Sequence, residues 1–403
     1  MNFFRKIWCR TYQSIMYVVQ CFMPWREPRL IEGEGAFDNL ADVLVEKGIL
    51  RPLVVCDKAA LERHALDKFF NNAVGKVDCV VYDGVLPNPT VKLVEEGLAV
   101  YLDNKCDGIV AFGGGSAMDC AKAIGARVVC PQKTVNQMKG LLKVGRKLPP
   151  FFAVPTTAGT GSECTVCAVI TNDDTRDKYA INDFSLIPHY AVLDPTLTVG
   201  LPPFLTATTG MDALTHAVEA YIGRENTRST KKNAEEAVCL IFENLLTATT
   251  DGKNLQARQN MQRAAYLAGL AFTRAYVGYV HALAHAMGGT YNTAHGLANA
   301  VLLPRVLEFY GSSAYAKLAK LAKISHIAEE SDSNADAAKK FIAAIDHLNK
   351  SLGIPDKLSD LKSDDIAALA KHADKEANPL YPVPKELSDT ELAEIYKTVL
   401  VNE

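Results

Sequence analysis

The sequence has no dense cysteine framework, no excess of one charge and no apolar run long enough to cross a bilayer. Its ten cysteines are scattered over 403 residues. That pattern excludes a small secreted domain stapled by disulfides and fits a reducing, cytoplasmic compartment. The formal net charge is only -3, so no broad positive field invites nucleic acid or an anionic membrane. Internal repeats and low-complexity segments are absent as well, which excludes solenoids and disordered linkers. The apolar stretch from Ile15 to Trp25 is too short to span a bilayer, and it ends in Met-Pro-Trp instead of a small-residue cleavage site.

What is present is ordinary for a globular chain: 48% hydrophobic and 22% charged residues, with length enough for two domains. Near the start, Trp8, Tyr12, Ile15, Val19 and Phe22 fall at helical spacing. They predict an amphipathic helix that packs this apolar face on the body, in preference to docking on a membrane or partner.

From Pro52 to about Asp194, short β-branched runs alternate with helical patterns. Strands are predicted at Pro52 to Cys56, Val77 to Tyr82, Gly108 to Phe112 and Phe151 to Pro155, with helices over 61–70, 90–103 and 117–127. Near-continuous apolar strands between helices predict a parallel sheet covered on both faces. Thr165 to Thr171 and Lys178 to Asn182, joined by a polar turn from Asn172 to Asp177, read as a hairpin. After Leu201-Pro-Pro203 the pattern becomes helical, which sets the domain boundary near residue 200.

Gly113-Gly-Gly-Ser116 falls where a strand ends and a helix begins. Glycines there let the backbone approach a pyrophosphate, and the helix N-terminus favours its charge. Alone the turn is weak, because tight strand-to-helix turns use glycine for steric reasons too. Asp57 follows the first of these strands, where a carboxylate can accept ribose hydroxyls and repel a 2'-phosphate. Pro155-Thr-Thr-Ala-Gly-Thr-Gly-Ser162 adds a second small-residue loop at the same end of the sheet. A dinucleotide is the economical ligand for all three.

Four of the nine histidines lie between His216 and His295. Asp212 and His216 are four apart, as are His281 and His285; His295 follows in Ala294-His-Gly296. Pairs at i, i+4 project from adjacent helical turns and chelate well. Spacing does not decide which of His281, His285 and His295 stay outside the shell. His64, His189, His326, His347 and His372 are read as hydrogen-bonded core residues. Cys164-Thr-Val-Cys167 is read as two buried structural thiols on a strand, since no second CxxC completes a zinc site.

Four segments carry these residues: Gly113 to Lys122, Pro155 to Glu163, Thr209 to Tyr221 and His281 to Asn299. In this order they resemble the iron-containing (group III) alcohol dehydrogenase family, over nearly the whole chain from about residue 30. The resemblance implies an α/β Rossmann-like dinucleotide-binding domain over 30–200, an all-α metal-binding domain over 201–403, and an added N-terminal helix over 1–29. It further implies Asp212, His216, His281 and His295 as metal ligands, with His285 beside the nicotinamide as a catalytic residue outside the shell. Cofactor contacts would come from Asp57, Asn88, Gly114, Gly115, Ser116, Asp119, Thr156, Thr157, Thr160 and Lys178. The implied ion is Fe2+, with Zn2+ or Mn2+ as alternatives, and Asp57 favours NAD(H) over NADP(H).

The expected activity is NAD(H)-linked, metal-assisted interconversion of a small primary alcohol or diol and its aldehyde, by a homodimer or higher homo-oligomer. Alternatives on the same fold are a zinc polyol or hydroxy-acid dehydrogenase and a catalytically silent NAD-binding assembly subunit. Two departures from the family pattern stand out. Arg274-Ala-Tyr-Val-Gly278 replaces a common Asn-Ala-Gly-Leu-Gly run, and Ala286 stands where proline is common. Arg274 and Tyr276 are candidates to reshape the substrate pocket, and Arg274 is equally a candidate for a surface ion pair.

Overall fold

The computed structural model describes residues 3–175 and 178–401. Arg176 and Asp177, part of the predicted polar turn, lie outside the described residues. The chain divides into two compact units, Pro24–Gly200 and Leu201–Glu403 with Met1–Met23.

The strands are β1 (Arg29–Glu32), β2 (Pro52–Val55), β3 (Val80–Tyr82), β4 (Gly108–Gly113), β5 (Gly140–Leu141), β6 (Phe151–Pro155), β7 (Cys167–Thr171), β8 (Lys178–Asn182) and β9 (Tyr190–Leu193). Six form an all-parallel sheet in the order β1-β9-β6-β4-β2-β3. Its central strands are buried along their whole length because each face meets helices and loops. Leu53, Val55, Ile109, Ala111, Phe151 and Ala153 enter one core, and the alternate residues Val54, Val110, Phe112, Phe152 and Val154 the other. The period-two alternation of the pleat thus feeds two separate apolar layers. β7 and β8 pair antiparallel, as the hairpin pattern predicts, and β5 joins β8 in a second, three-stranded sheet.

Three expectations need correction. The helix predicted over 61–70 is two short helices, Lys58–Glu62 and Asp67–Ala73, because His64 takes a left-handed φ of 58° between them. Cys164 closes a 3-10 turn, Ser162–Cys164, and only Cys167 lies on a strand, where it is half-buried. Of the five histidines assigned to the core, His189 alone is half-buried, its Nδ1 accepting from Phe151 N at 3.2 Å. His64, His326, His347 and His372 are exposed.

The second unit is helical. Its central helix, Pro203–Ile222, packs against Arg228–Thr250, Leu255–Ala275 and His295–Tyr310. Sixteen of its twenty residues are buried, including Asp212, His216 and Glu219. Gly210 admits Leu245, whose Cδ1 would lie 2.2 Å from an added Cβ.

The N-terminal helix Phe3–Cys21 packs on this unit through a polar face beside the predicted apolar one. Its buried residues are Cys9, Gln13 and Gln20; of the predicted face Trp8, Ile15 and Phe22 are exposed, and Tyr12 and Val19 are half-buried. Polar anchors explain the difference. Arg5 pairs with Asp374 at 2.7 Å and Arg10 with Glu386. Gln13 Nε2 donates to the carbonyls of Pro379 and Tyr381, and Gln20 Nε2 to Glu225. Both buried glutamines find specific partners, so hydrogen bonds and ion pairs fasten the helix alongside the burial of Cys9.

Candidate active site

In the first unit the Gly113-Gly-Gly-Ser116 turn lies between a strand and a helix, as the sequence predicts. Gly113, at a φ of 145°, ends β4, and Gly114 is the N-cap of the helix Gly115–Val129. A glycine cap has no side chain to occupy the first helical amides, which leaves them to an anionic ligand. Added Cβ atoms at Gly114 and Gly115 would lie 3.5 Å from Thr157 and 3.0 Å from Thr160. The two small-residue loops therefore lie against each other, and Thr156 N donates to Gly113 O at 3.0 Å. Asn88, held at a left-handed φ of 58°, donates its amide to Ser116 Oγ at 3.4 Å. Lys178 opposite Thr171, whose amide bonds Pro89 O, brings the hairpin to this cluster.

Two predicted cofactor contacts already have structural work. Asp57 caps the helix Lys58–Glu62, its Oδ1 accepting from Ala60 N at 2.7 Å. Asp119 accepts from Ser162 Oγ at 3.0 Å and Val169 N at 3.1 Å, which ties the loop after β6 to the glycine-capped helix. Burial pushes the Asp119 carboxyl up, against the pull of the Lys122 ammonium and these two donors.

In the helical unit, three helices bring Asp212, His216, His281 and His295 together. One nitrogen or oxygen from each lies within 4.8 Å of all the others. Asp212 Oδ1 is 3.4 Å from His295 Nε2, 3.7 Å from His281 Nε2 and 4.0 Å from His216 Nδ1. Ligands about 2.1 Å from a tetrahedral ion stand roughly 3.4 Å apart, so the spread suits one divalent ion. Buried His216 Nδ1 and His281 Nε2 have no hydrogen-bond partner, an arrangement that an ion would satisfy.

Surrounding groups fix these side chains. His281 Nδ1 donates to Glu219 Oε2 at 2.6 Å. The carboxylate can only accept, so Nδ1 carries a proton and Nε2 is the nitrogen turned to the cluster, free to bind an ion once its own proton is lost. Glu219 also accepts from Gly278 N and Val280 N, both at 2.8 Å, and thereby caps the helix Tyr279–Tyr291 that carries His281. A Cβ at Gly278 would lie 2.7 Å from Glu219 Oε1. Asn299 Nδ2 holds Asp212 Oδ1 at 2.7 Å. The turn before His295 uses Asn292 in the left-handed region, and an added Cβ at Gly296 would lie 2.3 Å from Thr208 O. Only glycine permits that approach of the His295 helix to the central one.

The electrostatics of the cluster follow from its burial. Burial pushes His216 down to about 3, with His281 and His295 adding like charge. His295 falls to about 4 for the same reason, with His285 and His281 as the charged neighbours. Neutral imidazoles are the form that binds metal. His281 moves the other way, to about 9: burial lowers it, but the negative charges of Asp212 and Glu219 together outweigh that and favour a second ring proton, which an ion on Nε2 would displace. Asp212 lies far below the usual carboxylate range: burial opposes ionisation, but His216, His295 and His281 together overcome it.

His285 shares the neighbourhood without joining the four. Its ring stacks on His295 at 5.2 Å between centroids, and its Nδ1 meets Glu376 Oε1 at 2.6 Å. Tyr381 donates to the same oxygen at 2.8 Å. Of the residues departing from the family pattern, Tyr276 takes a φ of 62° and hydrogen-bonds Gln20 of the N-terminal helix. Sequence reasoning missed Glu219 and Glu376. Glu219 is three residues after His216, on the same helical face, which is the signal that could have found it.

Residues 27–195 match the iron-containing alcohol dehydrogenase family, and 206–400 match that family's C-terminal part. The 1,3-propanediol dehydrogenase of Klebsiella pneumoniae is 42% identical over 352 residues, covering 86% of this chain and 90% of that one. The lactaldehyde reductase of Escherichia coli K12 is 36% identical over 346 residues, covering 85% and 90%. The crystal structure of a 1,3-propanediol oxidoreductase superposes with a TM-score of 0.90 at 39% identity, covering 94% of this chain and all of that one. The chain belongs to the iron-containing alcohol dehydrogenase family, as its motifs indicate. It is a nicotinamide-dependent oxidoreductase of alcohols and aldehydes, and the polyol-dehydrogenase and silent-subunit alternatives are not favoured. Among the described residues no helix is long and apolar enough to cross a membrane.

Proposed function

We propose that Asp212, His216, His281 and His295 hold one divalent ion, Fe2+ before Zn2+ or Mn2+, for oxidation of a small primary alcohol or diol by NAD and for the reverse reduction. The observation that carries this is the convergence of four ligand atoms within 4.8 Å, behind which Glu219 sets the His281 tautomer. A bound ion would act as a Lewis acid on the substrate oxygen, with the nicotinamide exchanging hydride with the substrate carbon.

The chain's own residues supply the rest. Asp212 and three neutral imidazoles provide one negative charge and three lone pairs, a donor set that suits iron and zinc alike. Asn299 and Glu219 keep the carboxylate and His281 in place. His285, with its Nδ1 on Glu376, presents Nε2 as the group that carries the alcohol proton away. In the other unit, the glycine-capped helix and the hydroxyls of Thr156, Thr157, Thr160 and Ser116 receive the pyrophosphate. Asn88, Asp119 and Lys178 complete that pocket, and Asp57 selects NAD(H) over NADP(H) through its charge. We assign residues 30–200 to cofactor binding, 201–403 to metal binding and 1–29 to an added helix.

Short diols and hydroxyaldehydes are the first substrates to test, supported by the names of the two relatives above. All ten cysteines are unpaired, which supports a reducing cytoplasm. A homodimer or higher homo-oligomer is the proposed working state. The test is NADH absorbance over a panel of alcohols, diols and aldehydes, on metal-depleted protein and after adding Fe2+, Zn2+ or Mn2+. Turnover that returns with an ion supports the reading. Equal turnover in fully depleted protein would overturn it.

A further inference from the structure

The helix Phe3–Cys21 lies before the residues matched to the family, which begin at 27. Its polar face is fastened to the body, so its apolar face is turned outward. Among the described residues 21 large hydrophobic side chains are exposed, and eight of them lie between Phe3 and Phe22. So much apolar surface on one short helix marks an interaction face.

We propose that this face pairs with the same face of a second copy of the chain, as antiparallel helices about a twofold axis. Phe4, Trp8, Thr11, Ile15, Val18 and Phe22 are all exposed. They recur at alternating spacings of four and three, the stripe that one helix offers another. The stripe carries no charge, and its positions are symmetric: 4 with 22, 8 with 18 and 11 with 15 each sum to 26. An antiparallel neighbour sets Phe4 against Phe22 of the partner subunit, Trp8 against Val18 of the partner subunit and Thr11 against Ile15 of the partner subunit. That is the self-complementary contact a twofold dimer requires. The smaller residues meet at the centre, where the helices must approach most closely. A parallel neighbour would instead bring both Lys6 ammonium groups to one level and oppose Trp8 to itself. A lipid surface suits the face less well, because Arg5 and Arg10 are turned inward onto Asp374 and Glu386, away from any lipid phosphate.

The test is sedimentation velocity of the full chain at micromolar concentration, beside a Trp8→Glu/Val18→Glu double variant. The expected result is an assembly whose mass halves in the variant, with the far-ultraviolet circular dichroism unchanged. An unchanged mass, or a monomeric wild type, overturns the proposal. Orientation is read by oxidising a mixture of two singly substituted chains, Thr11→Cys and Ile15→Cys, each in a Cys21→Ser background: a covalent dimer that forms from the mixture and from neither chain alone supports the antiparallel pair, and bridging of either chain with itself overturns it. Two Cys21 residues would stand about 24 Å apart in that pair, so efficient bridging of wild type through Cys21 overturns it. Flotation of wild type with neutral phosphatidylcholine vesicles also overturns it, in favour of lipid. The proposal goes beyond the chemical reading above, and the mass measurement fails or succeeds independently of the NADH assay.

Discussion

The two candidate sites are built from opposite materials. In the α/β unit the pocket is made of backbone, glycines and hydroxyls: Gly113 to Ser116 and Thr156 to Thr160 present amides and small side chains. In the helical unit it is made of buried ionisable groups: Asp212, His216 and His281 within the core, with Glu219 behind them. A backbone cradle tolerates loss of any one side chain but not the addition of a Cβ. A side-chain cluster tolerates changes of shape around it but not the loss of a ligand, since a buried charge or lone pair is then left unpaired.

The largest effect should come from removing a ligand. His281→Ala should abolish metal retention and lower turnover by about 1,000-fold or more, the several kcal/mol of charge stabilisation that an ion supplies. Elemental analysis and NADH kinetics on the same sample check it. A fully active, metal-free variant would break the contrast, because both sites would then be cradles.

Next comes the residue behind the ligand. Glu219→Gln keeps size but loses the charge that holds His281 Nδ1 and the amides of Gly278 and Val280. Metal affinity should drop by roughly 10 to 100-fold, the usual consequence of losing such a partner. Competition against a calibrated chelator measures the drop. Unchanged affinity would show that helix packing alone orients His281.

On the cradle side, Gly115→Ala places a Cβ about 3.0 Å from Thr160 Cγ2. The expected outcome is a several-fold rise in the KM for NADH, about 1 kcal/mol of lost binding, with metal content unchanged. A variant that loses metal but binds NADH normally would contradict the division of labour.

Those outcomes also bear on what the sequence could disclose. Asp212 with His216 was legible because a helix repeats its face every four residues, and Gly113 to Ser116 because a strand runs into it. The choice of His281 over His285 was not legible from spacing, since both sit on one helix and only their neighbours differ: Glu219 faces the first, Glu376 the second. Those two glutamates were not singled out, because their partners lie 62 and 91 residues away. The N-terminal helix was recognised as amphipathic, but periodicity reports that two faces differ, not which one is buried. Gln13 and Arg10 decide that through carbonyls near residue 380, which no local pattern contains. His64 was lost inside a continuous helical pattern because a single left-handed residue leaves the apolar spacing intact.

The smallest effect sharpens the contrast from the stability side. Glu163 ends the hydroxyl-rich loop of the cradle, 2% exposed, and burial pushes its carboxyl up to about 7. The folded state therefore holds a proton that the unfolded chain, with an ordinary value of 4.5, has released. Between those values the folded state binds more protons, so this group's contribution is fully present below about 4.5 and is lost as pH rises through 7. Glu163→Gln stays neutral and escapes that loss. Relative to wild type, the variant should gain a few degrees in melting temperature at pH 8 over its difference at pH 5. Calorimetric melts at both values check the sign. A pH-independent difference would mean that the nearby Lys122 ammonium already holds Glu163 ionised in the fold, and the cradle would then carry a buried ion pair like the helical unit.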